Sequence, residues 1–233
     1  MKITVNWGLY RDIKDDLNQM DLLIIDPIPA LKYYEENNNA DFSRCPAHIN
    51  YLKNTYVVCC PIDLEILLDK VQPQCRVIVP HNLPRVMFNP RFGEERDWKH
   101  PTFSLGIMPF VFTCEDKDVI MEQIDPFLEW ERSNNIRLVG GRYNIHRWTR
   151  ALEMAYEQRE KVTTIKFKRG DPMFYVRFFT DDDKDVVSLN RVDISLETLK
   201  DTQRSMAVKE VYKNKSLDFL YELTDKFKKA LKK

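Results

Sequence analysis

Neither sign of charge dominates this sequence: 36 lysines and arginines balance 36 aspartates and glutamates among 233 residues. General attraction to nucleic acid or to an anionic membrane surface is therefore not a property of the chain. Long hydrophobic runs are missing too. The aliphatic stretch at 22–25 falls far short of the ~20 residues a membrane helix needs, and residues 1–11 lack the apolar run of a signal peptide. The expectation is a soluble protein made in a reducing cytoplasm. Cysteine is sparse: Cys45, Cys59, Cys60, Cys75 and Cys114 make an odd number with no C-x-x-C pair. That pattern points to buried, inert thiols rather than to disulfides or zinc.

The motifs of familiar chemistry are absent as well. There is no G-x-x-x-x-G-K-[ST] to hold phosphates, no G-x-G-x-x-G after a strand and no G-x-S-x-G elbow to expose a serine. An iron-binding double-stranded β-helix takes His-x-His or His-x-Asp/Glu from one strand. The residues two after His48, His81, His100 and His146 are Asn50, Leu83, Thr102 and Trp148, so none supplies the pair. The reading carries no catalytic residue, no metal ligand and no cofactor.

What is present is a core. Apolar residues make up 43% of the chain and aromatics 12%, which excludes an intrinsically disordered protein. A folded chain of this mass hides about 70–75% of its unfolded surface. Residues 2–7 alternate as a first strand. The run at 22–25 is short and buried, ended by Pro27 and Pro29, and 37–44 is a polar loop. Pro46 suits the first position of a short helix. Residues 55–60, 63–68 and 75–80 read as strands bounded by Pro61, Pro73 and Pro80. Cys59 and Cys60 are strand neighbours, so their thiols diverge to opposite faces. Residues 81–103, with Pro84, Pro90 and Pro101, read as a long surface loop. Strands follow at 104–113 and 117–124, then a turn at Gly140-Gly141.

Segment 145–157 is contested. Ala151, Leu152, Glu153, Met154 and Ala155 favour helix by propensity. Trp148, Leu152, Met154 and Tyr156 alternate with Thr149, Glu153 and Glu157 as in a strand. Clearer strands at 162–168 and 173–179 come next, so strand is the expectation. Between those two, Arg169-Gly170-Asp171-Pro172 reads as a hairpin corner. An acidic tip at Asp181-Asp182-Asp183 leads to a strand near 185–194. Helical spacing appears at 196–206 and 216–232, where Leu217, Leu220, Leu223, Phe227 and Leu231 share one face. From Lys209 onward eight lysines face four acids. They read as the solvated side of a packed helix, with docking to a partner subunit as the alternative. Contact with nucleic acid or anionic lipid is a weaker one.

A basic cluster, Arg137, Arg142, Arg147 and Arg150, surrounds the Gly-Gly turn, and Arg177 lies on a later strand. On a strand, Arg150 shares the inward face of Trp148, Leu152 and Met154. A guanidinium there needs partners, and Asp171 is the candidate. Arg150 is thus expected to be largely buried and bonded to a carboxylate or to several carbonyls. The other use of these groups is an anion pocket lined by Arg150, Arg177 and Trp148.

Two stretches carry a resemblance. Cys45-Pro46-Ala47, then Tyr51-Leu52-Lys53-Asn54-Thr55-Tyr56-Val57-Val58 and Pro61-Ile62-Asp63, resembles the opening motif of an uncharacterised family of tailed bacteriophages, especially contractile-tailed marine phages. Trp148-Thr149-Arg150, Ile165-Lys166-Phe167-Lys168-Arg169-Gly170-Asp171-Pro172 and Phe174-Tyr175-Val176-Arg177-Phe178 resemble its second motif. The resemblance implies a phage origin and a β-rich sandwich or barrel, and it assigns no catalytic residue.

The fold expected is mainly β: a β-sandwich or jelly-roll-like barrel over 1–195, with amphipathic helices at 196–233 packed on it or on a partner. Two functions follow. One is a phage-encoded, non-enzymatic accessory or virion protein that binds other chains or itself through those helices. It would work in the cytoplasm of the infected host or in the virion. The other is a small-molecule or nucleotide-binding β-barrel, serving ligand sequestration, anti-defence or enzymatic turnover, with Arg150, Arg177, Trp148 and Asp171 at its pocket.

Overall fold

The structure is a computed structural model and describes residues 1–10, 24–37, 44–68, 75–78, 91–92, 102–105, 110–115, 118–128, 136–158 and 164–231. In chain order the described strands are β1 (Lys2–Leu9), β2 (Ile28–Pro29), β3 (Thr55–Cys59), β4 (Leu64–Leu68), β5 (Cys75–Ile78), β6 (Arg91–Phe92), β7 (Thr102–Leu105) and β8 (Phe110–Thr113). They continue with β9 (Ile120–Ile124), β10 (Ile136–Leu138), β11 (Gly141–Asn144), β12 (Met154–Gln158), β13 (Thr164–Phe167), β14 (Pro172–Phe179) and β15 (Val186–Arg191). The described helices are α1 (Ala30–Asn37), α2 (Pro46–Leu52), α3 (Leu196–Val211) and α4 (Leu217–Leu231).

Four sheets result, with strand orders β15-β1-β8, β10-β12-β7-β6, β11-β9-β14-β3-β2 and β13-β4-β5. The protein is mainly β with helices at its C-terminal end. Among the described residues every sheet is open, so the barrel alternative does not hold. The β1–β15 pair is parallel, and the other pairings among the described residues are antiparallel.

Strand alternation in β14 explains how the five-stranded sheet is covered on both faces. Phe174, Val176 and Phe178 enter the main core, while Tyr175 enters a second, smaller cluster. Its neighbour β3 divides in the same way: Tyr56 and Val58 join the main core, Val57 and Cys59 the second. Cys60 continues the alternation into the main core, so the two adjacent thiols do diverge. Cys45 departs from the expectation of burial, because it precedes the first turn of α2 and is exposed. The side chain of Cys75 lies outside the described residues.

The main core joins β8 to β14 through aromatic rings. Phe110 meets Phe174 edge-on at 6.3 Å, and Phe112 meets Phe178 at 5.8 Å. Such contacts add about 0.5–1.5 kcal/mol each beyond area burial. Val208 of α3, and Leu220 and Tyr221 of α4, join the same core. The helical pair is therefore packed on the sheets. Under α1 and α2, Ala30, Tyr33 and Leu52 close the second cluster over Val57, Cys59 and Tyr175.

Several expectations are corrected. Segment 145–157 is not one ribbon: residues 145–147 form a turn and strand structure begins only at Met154. The cause is Asn144, whose Oδ1 accepts the amides of His146 (2.9 Å) and Arg147 (3.0 Å) while its carbonyl accepts that of Trp148 (3.0 Å). A side-chain cap of this kind competes with strand pairing. The region 81–103 holds β6 and the start of β7, and the rest of it lies outside the described residues. The expected strand 104–113 is two strands. Helix α1 and strands β10 and β11 were not anticipated, and α3 extends to Val211. Of the polar loop 37–44, Asn37 ends α1, Arg44 leads into α2, and the residues between lie outside the described set. Ile24 is buried but outside any strand, and residues 22 and 23 are not described.

Two glycines answer to geometry. A Cβ on Gly140 would stand 2.5 Å from the carbonyl oxygen of Gln123, so β9 and the approach to β11 close only around glycine. Gly170 has φ +91° in the turn after β13. That turn is not a hairpin corner: β13 pairs with β4 and β14 with β3, so the chain passes there from one sheet to another. Asp171 fixes it by accepting the Lys168 amide at 2.7 Å on Oδ2, while its carbonyl accepts Cys60 N at 2.7 Å.

Candidate functional site

The second face of the five-stranded sheet carries a charged row. Register pairs Arg142 of β11 with Glu122 of β9, Glu122 with Arg177 of β14, and Arg177 with Thr55 of β3. Strand alternation sets this row on the side of Tyr175, away from the main core. The α2–β3 turn folds over one end of it. Asn54 makes that turn with φ +54°, a left-handed conformation that asparagine tolerates better than most residues. Its Oδ1 accepts Val187 N at 2.8 Å, its Nδ2 donates to the Asp185 carbonyl at 3.2 Å, and its own carbonyl accepts Phe178 N at 2.9 Å. Lys53 Nζ donates to the Asp183 carbonyl. The turn is thereby fastened to the loop between β14 and β15.

Between these walls lies a cleft of about 330 Å³ lined by Asn50, Tyr51, Lys53, Asn54, Arg177, Phe179, Thr180 and Asp183, with the Phe178 segment behind. Its volume falls at the lower end of the ~300–1,000 Å³ typical of small-molecule sites. Arg177 sits half-buried in the wall. Its Nε donates to Thr55 Oγ1 at 3.1 Å, and its guanidinium carbon lies 4.8 Å from the Tyr51 ring centroid and 5.8 Å from that of Phe127. Nη2 is buried and has no hydrogen-bond partner. No carboxylate among the described residues pairs with Arg177, although Glu122 stands opposite it in register. A buried donor left unpaired costs about 1–3 kcal/mol, and more on a charged group. Arg142, at the far end of the row, places its guanidinium 4.5 Å from the Phe179 ring centroid.

Of the four residues that the sequence nominates, Arg177 lines this cleft and the other three do not. Trp148 is 2% exposed in the main core, between the rings of Tyr143 (6.4 Å) and Tyr221 (5.8 Å). Arg150 follows it out of the capped turn and is only half-buried. It lies over Tyr143 at 5.6 Å and donates from Nε to the Ala151 carbonyl at 3.4 Å. It makes no ion pair with Asp171, which is held in the turn after β13. The expectation of an Arg150 largely buried and bonded to a carboxylate or to several carbonyls is not met, since it is half-buried on one carbonyl; the Asn144 cap lifts 148–150 out of strand geometry. Trp148 shares the main core with Phe174 and Phe178, on the opposite face of β14 from Arg177. The described cleft therefore holds Arg177 without Arg150 or Trp148.

The basic cluster has a structural use instead. Arg147 Nη2 pairs with Asp225 Oδ2 of α4 at 2.9 Å, a hydrogen bond that holds its guanidinium charged still more firmly than usual. The hydroxyl of Tyr221 accepts the Asn144 amide at 2.8 Å. The capped turn is where α4 docks. Near Arg150, Lys209 of α3 has its ammonium disfavoured by partial burial first and by the Arg150 charge second.

The sequence reading missed Tyr51, Lys53, Asn54, Thr180 and Asp183 as a group. One signal existed: asparagine after a short helix and before a strand marks a left-handed cap. Among the described residues no three His, Cys, Asp or Glu side chains are grouped to hold a metal ion. His48 rests against Tyr34 at 5.0 Å, and the His146 ring nitrogen Nδ1 meets the Cys114 carbonyl at 2.9 Å. His81 and His100 lie outside the described residues. No described helix is long and apolar enough to cross a membrane. Comparison of the chain with protein-family models, with curated proteins and with solved structures finds no match.

Proposed function

We propose that the chain is a binding protein for a small anionic ligand taken up in the Arg177–Lys53 cleft. The observation that carries this reading is the buried, unpartnered Nη2 of Arg177 in the wall of that cleft. Guanidinium is a flat fork of donors suited to the paired oxygens of carboxylate or phosphate. Here one edge is spent on Thr55 and a nitrogen of the fork is left over. Lys53 adds a second cation at the same wall. Binding alone is proposed, with no catalytic residue assigned. The motif resemblance adds a phage origin and work in the infected cell, as sequestration of a host molecule. The facing of β8 rings against β14 rings favours a β-sandwich as the arrangement of the sheets.

Thermal shift against inorganic phosphate, sugar phosphates, nucleotides and dicarboxylates tests the reading. A ligand at a hundred times its Kd adds about 2.7 kcal/mol, or about 5–10 °C for a chain of this length. Arg177→Met should abolish the shift while leaving the unliganded Tm unchanged or higher. An anion response that survives in Arg177→Met, or no response to any anion, refutes it.

A second reading rests on the helices. Val211, Leu217, Phe219 and Phe227 expose apolar surface on α3 and α4, Phe227 at 47%. Partner binding or self-association through this end accounts for them, and light scattering showing an oligomer that Phe227→Asp dissociates would support it.

A further inference from the structure

The geometry points to a nucleoside monophosphate as the ligand of the cleft, with Tyr51 as the ring on which its base stacks. This rests on the anion-binding reading above and goes beyond it by naming the class. Tyr51 stands on the last turn of α2 and is 51% exposed, although a tyrosine has every apolar reason to be covered. Its ring meets Phe127 edge-on at 5.3 Å and the Arg177 guanidinium at 4.8 Å, and about half of the residue faces solvent. An exposed, braced aromatic ring beside a cation is the arrangement by which proteins take a base and its phosphate together.

The charge of the cleft selects the phosphate number. Arg177 and Lys53 supply two cations, and Asp183 returns one carboxylate. A phosphate monoester, at about −1.5 to −2 charge, can be met by the two cations, whereas the further charge of a triphosphate finds no third cation among the lining residues. The volume of about 330 Å³ is of the size of one nucleotide. Because Nη2 is shielded in the unliganded protein, the Tyr51 ring over the guanidinium shifts as the phosphate engages, and stacking on the base holds it in its new position.

Isothermal titration of the full chain with adenosine 5′-monophosphate, ribose 5-phosphate, adenosine and a short oligodeoxythymidylate tests this. The monophosphate should bind at least tenfold more tightly than ribose 5-phosphate or adenosine, the scale of one base–aromatic stack. Tyr51→Ala should erase its advantage over ribose 5-phosphate, and Tyr51→Phe should keep it. Both variants should match the parent in far-UV circular dichroism, as expected for an exposed position. Equal affinity for ribose 5-phosphate and the monophosphate overturns the nucleotide assignment and leaves the anion reading standing. Tighter binding of the oligonucleotide overturns it in favour of a strand, and binding of none of the four overturns the nucleotide assignment, while the wider phosphate and dicarboxylate panel decides the anion reading separately.

Discussion

Replacing Tyr143 by Phe removes one oxygen and leaves every ring contact in place. Tyr143 is 5% exposed on β11, opposite Met121 in register, with its ring packed against Trp148 and beneath the Arg150 guanidinium. Its hydroxyl is buried and has no hydrogen-bond partner. A hydroxyl in that state costs about 1–3 kcal/mol, so Tyr143→Phe should stabilise the protein by about 1–2 kcal/mol and raise Tm by about 2–8 °C. Urea unfolding should show a higher midpoint at unchanged slope. A pH series gives an independent check. Burial, opposed by the charge of Arg150, pushes the phenol well above its ordinary value. The folded state then keeps a proton that the unfolded chain releases above about pH 10, so stability falls as pH rises past that point. Tyr56 and Tyr221, also raised chiefly by burial, contribute the same trend to both proteins and cancel in the comparison. The advantage of the variant should therefore grow by about 1.4 kcal/mol between pH 9 and pH 11. A variant less stable than the parent would mean that the hydroxyl is hydrogen-bonded, and a gap that ignores pH would mean that the phenol ionises as readily in the folded as in the unfolded chain; either result refutes the reasoning.

Two further predictions concern the backbone. Gly140→Ala should cost about 1–3 kcal/mol, because its Cβ would meet a strand carbonyl at 2.5 Å, whereas Gly141→Ala meets nothing within 4 Å and should stay within about 0.5 kcal/mol of the parent. Equal urea midpoints for the two would remove the steric account of this corner. Asn54→Ala should cost about 2–4 kcal/mol through two lost side-chain bonds and a left-handed backbone. Asn54→Gly should recover the backbone share, and calorimetric melting of both variants checks the division.

Legibility in the sequence tracked the range of the interaction. β14 and β3 were readable because Met173–Phe179 and Thr55–Cys59 are runs of aromatic and β-branched residues, and the opposed burial of Cys59 and Cys60 follows from the two-residue period alone. α2 was readable from Pro46. Segment 145–150 obeys neither the strand nor the helix pattern, because Asn144, just before it, caps the turn with its own side chain. β11 is hidden by Gly140-Gly141, a pair that reads as a turn although Gly141 is already in the strand. The cleft was the least legible part. Lys53 and Asp183 meet across 130 positions, and Asn54 and Val187 across 133. Nothing local in either segment announces the other, so Arg177 could be picked out as a strand arginine but not given its true neighbours.

The case for the cleft comes from comparing its orphan group with the others. His48 Nε2, Trp148 Nε1, Tyr143 Oη and Ser205 Oγ are also buried without partners. Trp148 and Tyr143 are neutral groups in the main core, Ser205 is a neutral hydroxyl on the buried side of α3, and none of the four residues lines the cleft. Leaving a neutral hydroxyl or indole unpaired is a tolerable loss in a core that gains from its rings. A guanidinium cannot shed its charge to ease burial, so the same defect is more costly on Arg177. The cost would be easily removed, since Met or Leu on β14 would pack against Tyr51 and Phe127 without it. The departure from full polar satisfaction is thus largest where an opening adjoins it, and such departures concentrate at functional sites. Because α3 and α4 dock on the main core and the cleft lies on the other face of β14, changes at Arg177 and Tyr51 leave that docking untouched, and binding can be read without disturbing the fold.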